Sequence, residues 1–428
     1  MRYPLRVTSL GLLVALFGAS LAAASGFGLF QHGARATGQV GAFTARASEP
    51  SAVYYNPAAI TQLDGFQLQA GLDFNNPTDK YSSATGSFED HHVIQFPPHL
   101  YATWKPKGNP FAFGIGIDSP AYYTEDWEEA LFPGRFLTRR VELRLFEVHP
   151  VVAYDLGEGW SVGGGVRYLR GNFDQEKNGL FQISPAGTTT TFPVEVRRNA
   201  GANVDAYAWD LSVHYGAPHW GWGAVYSSEA NLKGNGSVGY FARDVPAIPG
   251  LDAALAARFG AGSISESFKI PQELRGGIWY APYPELRFEF DAAYQTWSDL
   301  DTTDITFNPD AFGGGPTERT IRDWKNTTSL RLGVEGDVTD NLSLFGGIAS
   351  EPSPVPGATL EPGFPRGDAM VYGAGFTYNF PKISFDMAYS YFAYSDRGAA
   401  NQELLNPGRT GTYTARDQRW AGTVRWRF

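Results

Sequence analysis

Cysteine is absent from the 428 residues, methionine occurs three times, and only 18% of the chain is charged, against roughly 25% in a typical soluble protein. Without cysteine no disulfide framework exists, so stability rests on backbone pairing and packing. Long apolar runs are equally scarce. One occurs, at the start, and the mean hydropathy of −0.26 is too polar for a helical membrane protein, whose spans need about 20 consecutive apolar residues. In their place stand 50 Gly, 30 Phe, 22 Tyr and 11 Trp, a composition unlike that of a soluble enzyme. The length admits two or three ordinary domains or one large all-β barrel.

The single apolar run places Arg2 and Arg6 ahead of Leu10–Phe17, followed by small residues with Ala22 and Ala24 two apart. This is the A-x-A pattern of a secretory cleavage site. Residues 1–24 are therefore expected to be a signal peptide cut after Ala24; the competing reading, an N-terminal anchor, needs a longer core. Removing Arg2 and Arg6 moves the formal charge from −10 to −12, since two positive charges leave, and this argues against nucleic acid as a partner.

Elsewhere strict alternation dominates. Ile383, Phe385, Met387, Tyr389 and Tyr391 alternate with Ser384, Asp386, Ala388 and Ser390; Leu286, Phe288 and Phe290 alternate with Arg287, Glu289 and Asp291. The period of two marks strands. Charge on the polar face, and aromatics near both ends of the apolar face, fit a wall with lipid outside it. Candidate strands are 65–74, 98–105, 109–117, 141–155, 159–174, 203–216, 219–229, 266–281, 284–297, 325–338, 341–350, 368–380, 382–395 and 414–428. The even number of fourteen, with short turns at Asp155–Gly159, Gly216–His219, Ala281–Pro284 and Val338–Asn341 alternating with long connections, predicts an all-β, antiparallel transmembrane barrel with both termini in the periplasm. The last strand ends on Phe428, an aromatic terminus resembling an outer-membrane insertion signal.

Ser25–Asp64 does not alternate. It is rich in Gly and Ala, with Gly33, Gly38 and Gly41 interrupting helix-compatible pieces, and closes on Tyr54-Tyr55-Asn56-Pro57-Ala58. About eight strands already bring barrel side chains into contact, so a barrel of fourteen has room for a plug. Residues 25–64 are expected to fill it as a small helical hatch, since low charge and many apolar residues disfavour a disordered arm. Residues 65–428 then form the barrel, with long outer loops at 175–202 and 230–265.

Several segments carry a family resemblance. Ser25-Gly26-Phe27-Gly28-Leu29, the Gly/Ala-rich stretch to Ala47 and Asn56-Pro57-Ala58 resemble the hatch and NPA motif of the FadL-type long-chain fatty-acid transporters. Pro150-x-x-Ala153-Tyr154 before Trp160-Ser161-Val162-Gly163-Gly164-Gly165, then Ala293-Tyr294-Gln295-Thr296-Trp297-Ser298 and Ser353-Pro354-Val355-Pro356, follow in family order. The resemblance covers nearly the whole mature chain. It implies a fourteen-strand barrel with an N-terminal hatch, taking up hydrophobic molecules and releasing them sideways into the membrane beside a kinked third strand. A lateral exit also spares an apolar ligand full rehydration.

Candidate functional residues follow. Gly114, Gly116 and Pro120 could bend or break the third strand, with Asn56, Pro57 and Ala58 of the hatch near the gap; an ordinary strand end is the bland alternative. Leu180, Phe181 and Ile183, with Leu251, Leu255 and Phe259 at helical spacing, could form an outer hydrophobic groove or simply pack loop on loop. The resemblance places Gly26 and Phe27 at a deep pocket, and Lys325 at a position similar to a family lysine. Arg167, Arg170 and Arg331 are further partners for a carboxylate, although arginines also pair with acids for structure alone. His91-His92 lacks metal-ligand spacing, and no nucleophile elbow, cofactor motif or metal motif is evident. The expected protein is a monomeric outer-membrane channel for fatty acids. An aromatic or alkane hydrocarbon is the alternative ligand, and a hydrolase or a receptor or adhesin barrel the alternative class. Its partners are the ligand and the bilayer, with lipopolysaccharide or detergent contacts.

Overall fold

The computed structural model describes residues 26–84, 86–127, 131–185, 187–313, 315–399 and 411–428. The expected signal peptide and its cleavage site lie outside the described residues. Fourteen antiparallel strands close a barrel. They are β1 (Gly65–Ser83), β2 (Pro98–Lys105), β3 (Phe111–Asp126), β4 (Arg140–Gly157), β5 (Trp160–Ile183), β6 (Phe192–Gly216), β7 (Trp220–Ser227), β8 (Glu273–Tyr283), β9 (Leu286–Gln295), β10 (Thr327–Asp337), β11 (Leu342–Glu351), β12 (Ala369–Asn379), β13 (Ile383–Tyr394) and β14 (Gly411–Arg427). β14 seals onto β1, with Phe74 opposite Trp420 and Gln67 opposite Arg427. Closure leaves neither the first nor the last strand as an open edge, the condition a β structure must meet in hydrocarbon.

Each strand forms where its sequence alternates, and the two faces meet different solvents. On β13, Phe385, Met387 and Tyr389 are exposed on the outside, while Ser384, Asp386 and Ser390 are buried in the lumen. The lower half of β6 repeats this: Trp209 and Leu211 face outwards, Asp210, Ser212 and His214 inwards. The stretch from Tyr207 to Gly216 matches the roughly 9–11 residues that a tilted strand needs to span a bilayer.

Above Tyr207 the faces exchange character. Asp205 and Asn203 now point outwards, whereas Ala206, Val204 and Ala202 are buried inside. On β5 the exchange falls at Tyr168, whose ring lies 5.0 Å from that of Tyr207; Arg170 and Asn172 continue outwards, and Leu169 and Phe173 are buried inwards. The two strands are 24 and 25 residues long, about 80 Å each at the usual rise, and extend far beyond the membrane. Four further strands widen this extension. Ala230–Arg243 lies on β6, followed in turn by Gly262–Ile270, Thr302–Asn308 and Thr317–Ile321.

Segments 175–202 and 230–265, expected as loops, are thus mostly strand. The alternation persists there, but with its polarity reversed, because water now lies outside and the apolar side chains turn in. The inner face of the extension, with Phe173, Val204, Leu232, Ile264, Phe268 and Ile305, forms one buried cluster.

The extension is tied at its far edge by charge. Arg198 Nη1 donates to Glu318 Oε2 at 2.7 Å, and Lys177 Nζ to Glu318 Oε1 at 2.6 Å. Burial would raise the Glu318 pKa, but the hydrogen bond from Arg198 and the charges of Lys177 and Arg198 outweigh it and hold the group at about 2, below its ordinary 4.5. A depressed carboxylate contributes stability above its unfolded value that is lost as pH falls through the folded one. Acidification from pH 4.5 to 2, or Glu318→Gln at neutral pH, should therefore loosen the Thr317–Ile321 edge while the barrel stays closed. Limited proteolysis beside heat-modified gel mobility would check this.

Candidate functional site

The segment from Gly26 to Asp64 lies inside the barrel. Its regular structure is slight, two short helices (Ala34–Gly38 and Ala52–Tyr55) and a 3₁₀ turn at Pro57–Gln62, so many of its backbone N–H groups need partners elsewhere. The wall supplies them. Asp291 Oδ2 accepts from the N–H of Phe43 and Thr44 at 2.9 and 2.8 Å, and Glu289 Oε1 from Ala45 and Arg46 at 2.7 and 3.1 Å. Thr423 Oγ1 accepts from Ala34 N–H, and Gln69 Oε1 from Ser51 N–H. Arg35 bridges Glu49 of the hatch and Glu335 of β10 at 3.0 and 2.7 Å.

The Asn56-Pro57-Ala58 turn is seated on β5 and β6. Asn56 Nδ2 donates to Thr44 O and Val213 O, Ala58 N–H donates to Ser212 Oγ at 2.8 Å, and Ser161 Oγ donates to Ala58 O at 2.9 Å. A Cβ on Gly163 would stand 2.7 Å from Ala58 N, so only glycine lets the hatch backbone approach there. Gly114 and Gly116 likewise make room for Val53, at 2.7 and 3.0 Å from where their Cβ atoms would be.

The wall is interrupted just beyond those glycines. β3 pairs with β2 through Gly114 and Gly116 and stops at Ile117, and its register with β4 shifts between Asp118 and Ala121. Ser119 and Pro120 occupy the shift. The hatch reaches this spot: Leu29 N–H donates to Pro120 O at 2.9 Å, and Gly28 forms an isolated bridge with Ala121.

Behind the interruption is a cavity of about 70 Å³. Phe27, Leu29, Phe30, Ile270 and Trp297 give it apolar walls, and Tyr54, His149, Arg167, Asp210, Glu273 and Arg275 give it polar ones. Its basic side chains are paired with acids. Arg167 donates to Glu147 at 2.9 Å, His149 Nε2 lies 2.8 Å from Asp210, and Arg275 Nε lies 2.9 Å from Glu273 while its Nη2 donates to Tyr54 O. Phe27 meets Trp297 edge to face at 5.0 Å and touches Phe268, which joins the cavity to the apolar interior of the extension.

The structure brings some expected residues together and separates others. Phe27, Arg167 and Pro120 line the cavity; Gly26, with φ +57°, packs on Trp297 beside it. Arg331 sits behind Phe30, its guanidinium 4.3 Å over the ring and its Nε bonded to Glu351. Arg170 faces outwards, and Lys325 is exposed and bonded to Asp323 at 2.7 Å. Phe181, Ile183, Leu251, Leu255 and Phe259 do cluster, but they pack together against Phe312 with Leu251 wholly buried, whereas Leu180 points outwards. Gly114 and Gly116 leave the ladder unbroken; the break follows at Ser119-Pro120. Arg275, His149 and Glu273 went unnoticed in the sequence; inward parity was their only signal.

The model of a family described as "Outer membrane protein transport protein (OMPP1/FadL/TodX)" matches residues 15–428. The chain belongs to this family. FadL-type proteins are transport channels and not enzymes, and they are β-barrels of the outer membrane. This FadL-type chain is 22% identical over 366 residues to the long-chain fatty acid transport protein of Salmonella typhi and 23% identical over 379 residues to that of Shigella flexneri, each alignment covering 81% of this chain and 82% of the relative. Its fold is similar to that of a Pseudomonas aeruginosa FadL homologue (TM-score 0.81, 18% identity, 94% of this chain and 99% of the other). It is also similar to the toluene transporter TbuX of Ralstonia pickettii (TM-score 0.68, 16% identity, 93% and 99%).

Filling the space at Gly163 should unseat the hatch without opening the ladder. Gly163→Val is expected to cost about 1–3 kcal/mol of hatch docking, read as faster protease cleavage within residues 26–64 and raised ion conductance in planar bilayers. Unchanged conductance and cleavage would mean that the hatch is not held at Ala58.

Proposed function

We propose that this outer-membrane transporter of hydrophobic compounds carries long-chain fatty acids by passive diffusion, works as a monomer, and releases its ligand sideways into the bilayer. The observation that carries the reading is the position of the cavity. It has an apolar wall at Phe27, Leu29, Phe30 and Trp297, a guanidinium at Arg275, and Pro120 of the interrupted strand on its rim. Apolar side chains favour an acyl chain, a cation favours an ionised head group, and the interruption offers a path to lipid. The fatty acid transport relatives support the same ligand.

Ligand pockets usually occupy roughly 300–1,000 Å³, well above the present cavity, so a long acyl chain needs side chains to move. In this reading Phe27–Phe30 yield: Leu29 N–H to Pro120 O ties the segment to the wall, whereas the bonds from Tyr54 Oη to Leu29 O and from Tyr55 Oη to Phe30 O lie within the hatch itself. Ligand arrives through the cluster at Phe181, Leu251, Leu255 and Phe259 and along the apolar face that ends at Phe268 and Phe27. A second reading, a neutral aromatic hydrocarbon, is favoured by the acid already paired with each cation.

Two measurements decide. In native mass spectrometry of the purified barrel, Arg275→Ala should weaken palmitate binding about tenfold, as loss of a charged hydrogen bond does, and leave a neutral hydrocarbon unaffected, while Lys325→Ala changes neither. Hydrocarbon binding alone would establish the second reading. For the exit, Gly28→Cys with Ala121→Cys joins facing bridge partners in a chain otherwise free of cysteine. The oxidised pair should block uptake and reductant should restore it; uptake unaffected by oxidation would remove the lateral route.

A further inference from the structure

The outward face of the extension carries a feature the transport reading does not use. Reading across the ladder from β5, Arg170 stands opposite Asp205, Asp205 opposite Lys233, Lys233 opposite Ser267, Ser267 opposite Asp304, and Asp304 opposite Arg319. One rung higher the row is Asn172, Asn203, Asn235, Ser265, Thr306 and Thr317, each again the register partner of the next. These side chains lie on the face opposite the buried apolar cluster, and Asn203, Asn235 and Ser265 are exposed. Two shallow grooves of about 540 and 720 Å³ run along the rows and share Asn203. Gly201 and Gly239 flatten the first, and Phe241 stands exposed at its rim.

A surface that only meets water needs no such order; charged side chains in any sequence would serve. Here small amides and hydroxyls fill a whole rung, and signs alternate along the rung below. Amides both donate and accept, as a sugar's vicinal hydroxyls require; Arg170 and Lys233 suit phosphate, while Arg319 is held by Asp304 at 2.8 and 2.6 Å. Position names the source. The rows begin immediately above Tyr168 and Tyr207, the last aromatic pair of the lipid-facing belt, so the groove continues the surface already in contact with lipid and lies at the depth of that lipid's own head group.

We propose that these rows form a binding site for the phosphorylated core sugars of the outer-leaflet lipopolysaccharide, with Asn172, Asn203 and Asn235 contacting hydroxyls and Arg170 and Lys233 contacting phosphate. The proposal rests on the outer-membrane orientation of the family and is independent of which hydrophobic ligand the lumen carries.

The test titrates purified full-length barrel in detergent, by native mass spectrometry, with lipopolysaccharide bearing core sugars and with lipid A lacking them. The wild type should prefer the core-bearing form by about tenfold, a few hydrogen bonds' worth. The triple variant Asn203→Ala, Asn235→Ala, Lys233→Ala should lose that preference while keeping its lipid A affinity, its heat-modified mobility and its palmitate binding. Equal affinity of the wild type for both forms, or a preference surviving in the variant, overturns the proposal. Loss of palmitate binding in the wild type would instead count against the transport reading and leave the sugar preference to be read by itself.

Discussion

A lumen lined with carboxylates is the constraint from which the rest of this molecule follows. Lipid outside the wall requires apolar residues at the outward positions of the belt, which leaves the alternate positions for polar groups that face one another across the bore. A segment with little regular structure of its own, in turn, has amides that must find acceptors. Asp291 and Glu289 meet both needs at once, since each takes two hatch N–H groups. The hatch is consequently held by wall side chains on several strands as well as by an apolar cluster in which its Phe43, Val53, Tyr55, Ile60 and Leu63 meet Tyr101 and Val151 of the wall, and backbone and wall approach closely both at Gly163 of the wall and at Gly38 of the hatch, where a Cβ would stand 2.4 Å from Phe345.

The exchange of faces above Tyr168 and Tyr207 has the same origin with the solvent changed. Once water replaces lipid, the outward positions become polar, and the inward ones become free to be apolar. The interior above the hatch therefore turns into a continuous hydrophobic surface from Val204 and Leu232 to Phe268, Phe27 and Trp297. A ligand that avoids water finds such a surface only where the wall is clear of the membrane, which accounts for strands that run far past it.

Much of this was legible in the sequence. The fourteen wall strands, the antiparallel order and the N-terminal segment inside the bore follow from alternation, turn lengths and the failure of residues 25–64 to alternate. Pro120, which cannot donate to a neighbouring strand, stands in the register shift between Asp118 and Ala121. What escaped detection has a common cause. A period of two is blind to which face is apolar, so the upper halves of β5 and β6 looked like loop once their apolar residues changed sides. Arg170 stands three positions from the inward Arg167 in an unshifted ladder and therefore shares the outward face of Val166 and Tyr168, and Lys325 lies just before β10 begins at Thr327, where alternation no longer constrains direction. Arg275 lay in plain view beside two glycines, but no local pattern distinguishes an inward arginine at a cavity from one in a structural ion pair.

The bonds between hatch and wall bear on the order of assembly. Ala34 reaches Thr423 across 389 positions of the chain, and the same final strand closes on β1. A hatch that hydrogen-bonds to β9, β10 and β14 has to lie between them before the last seam zips, for afterwards only the two open ends of the bore would admit it. Contacts so distant in sequence form late and slowly. Synthesised first and locked in last, the N-terminal segment acts as the mandrel around which the wall is wrapped.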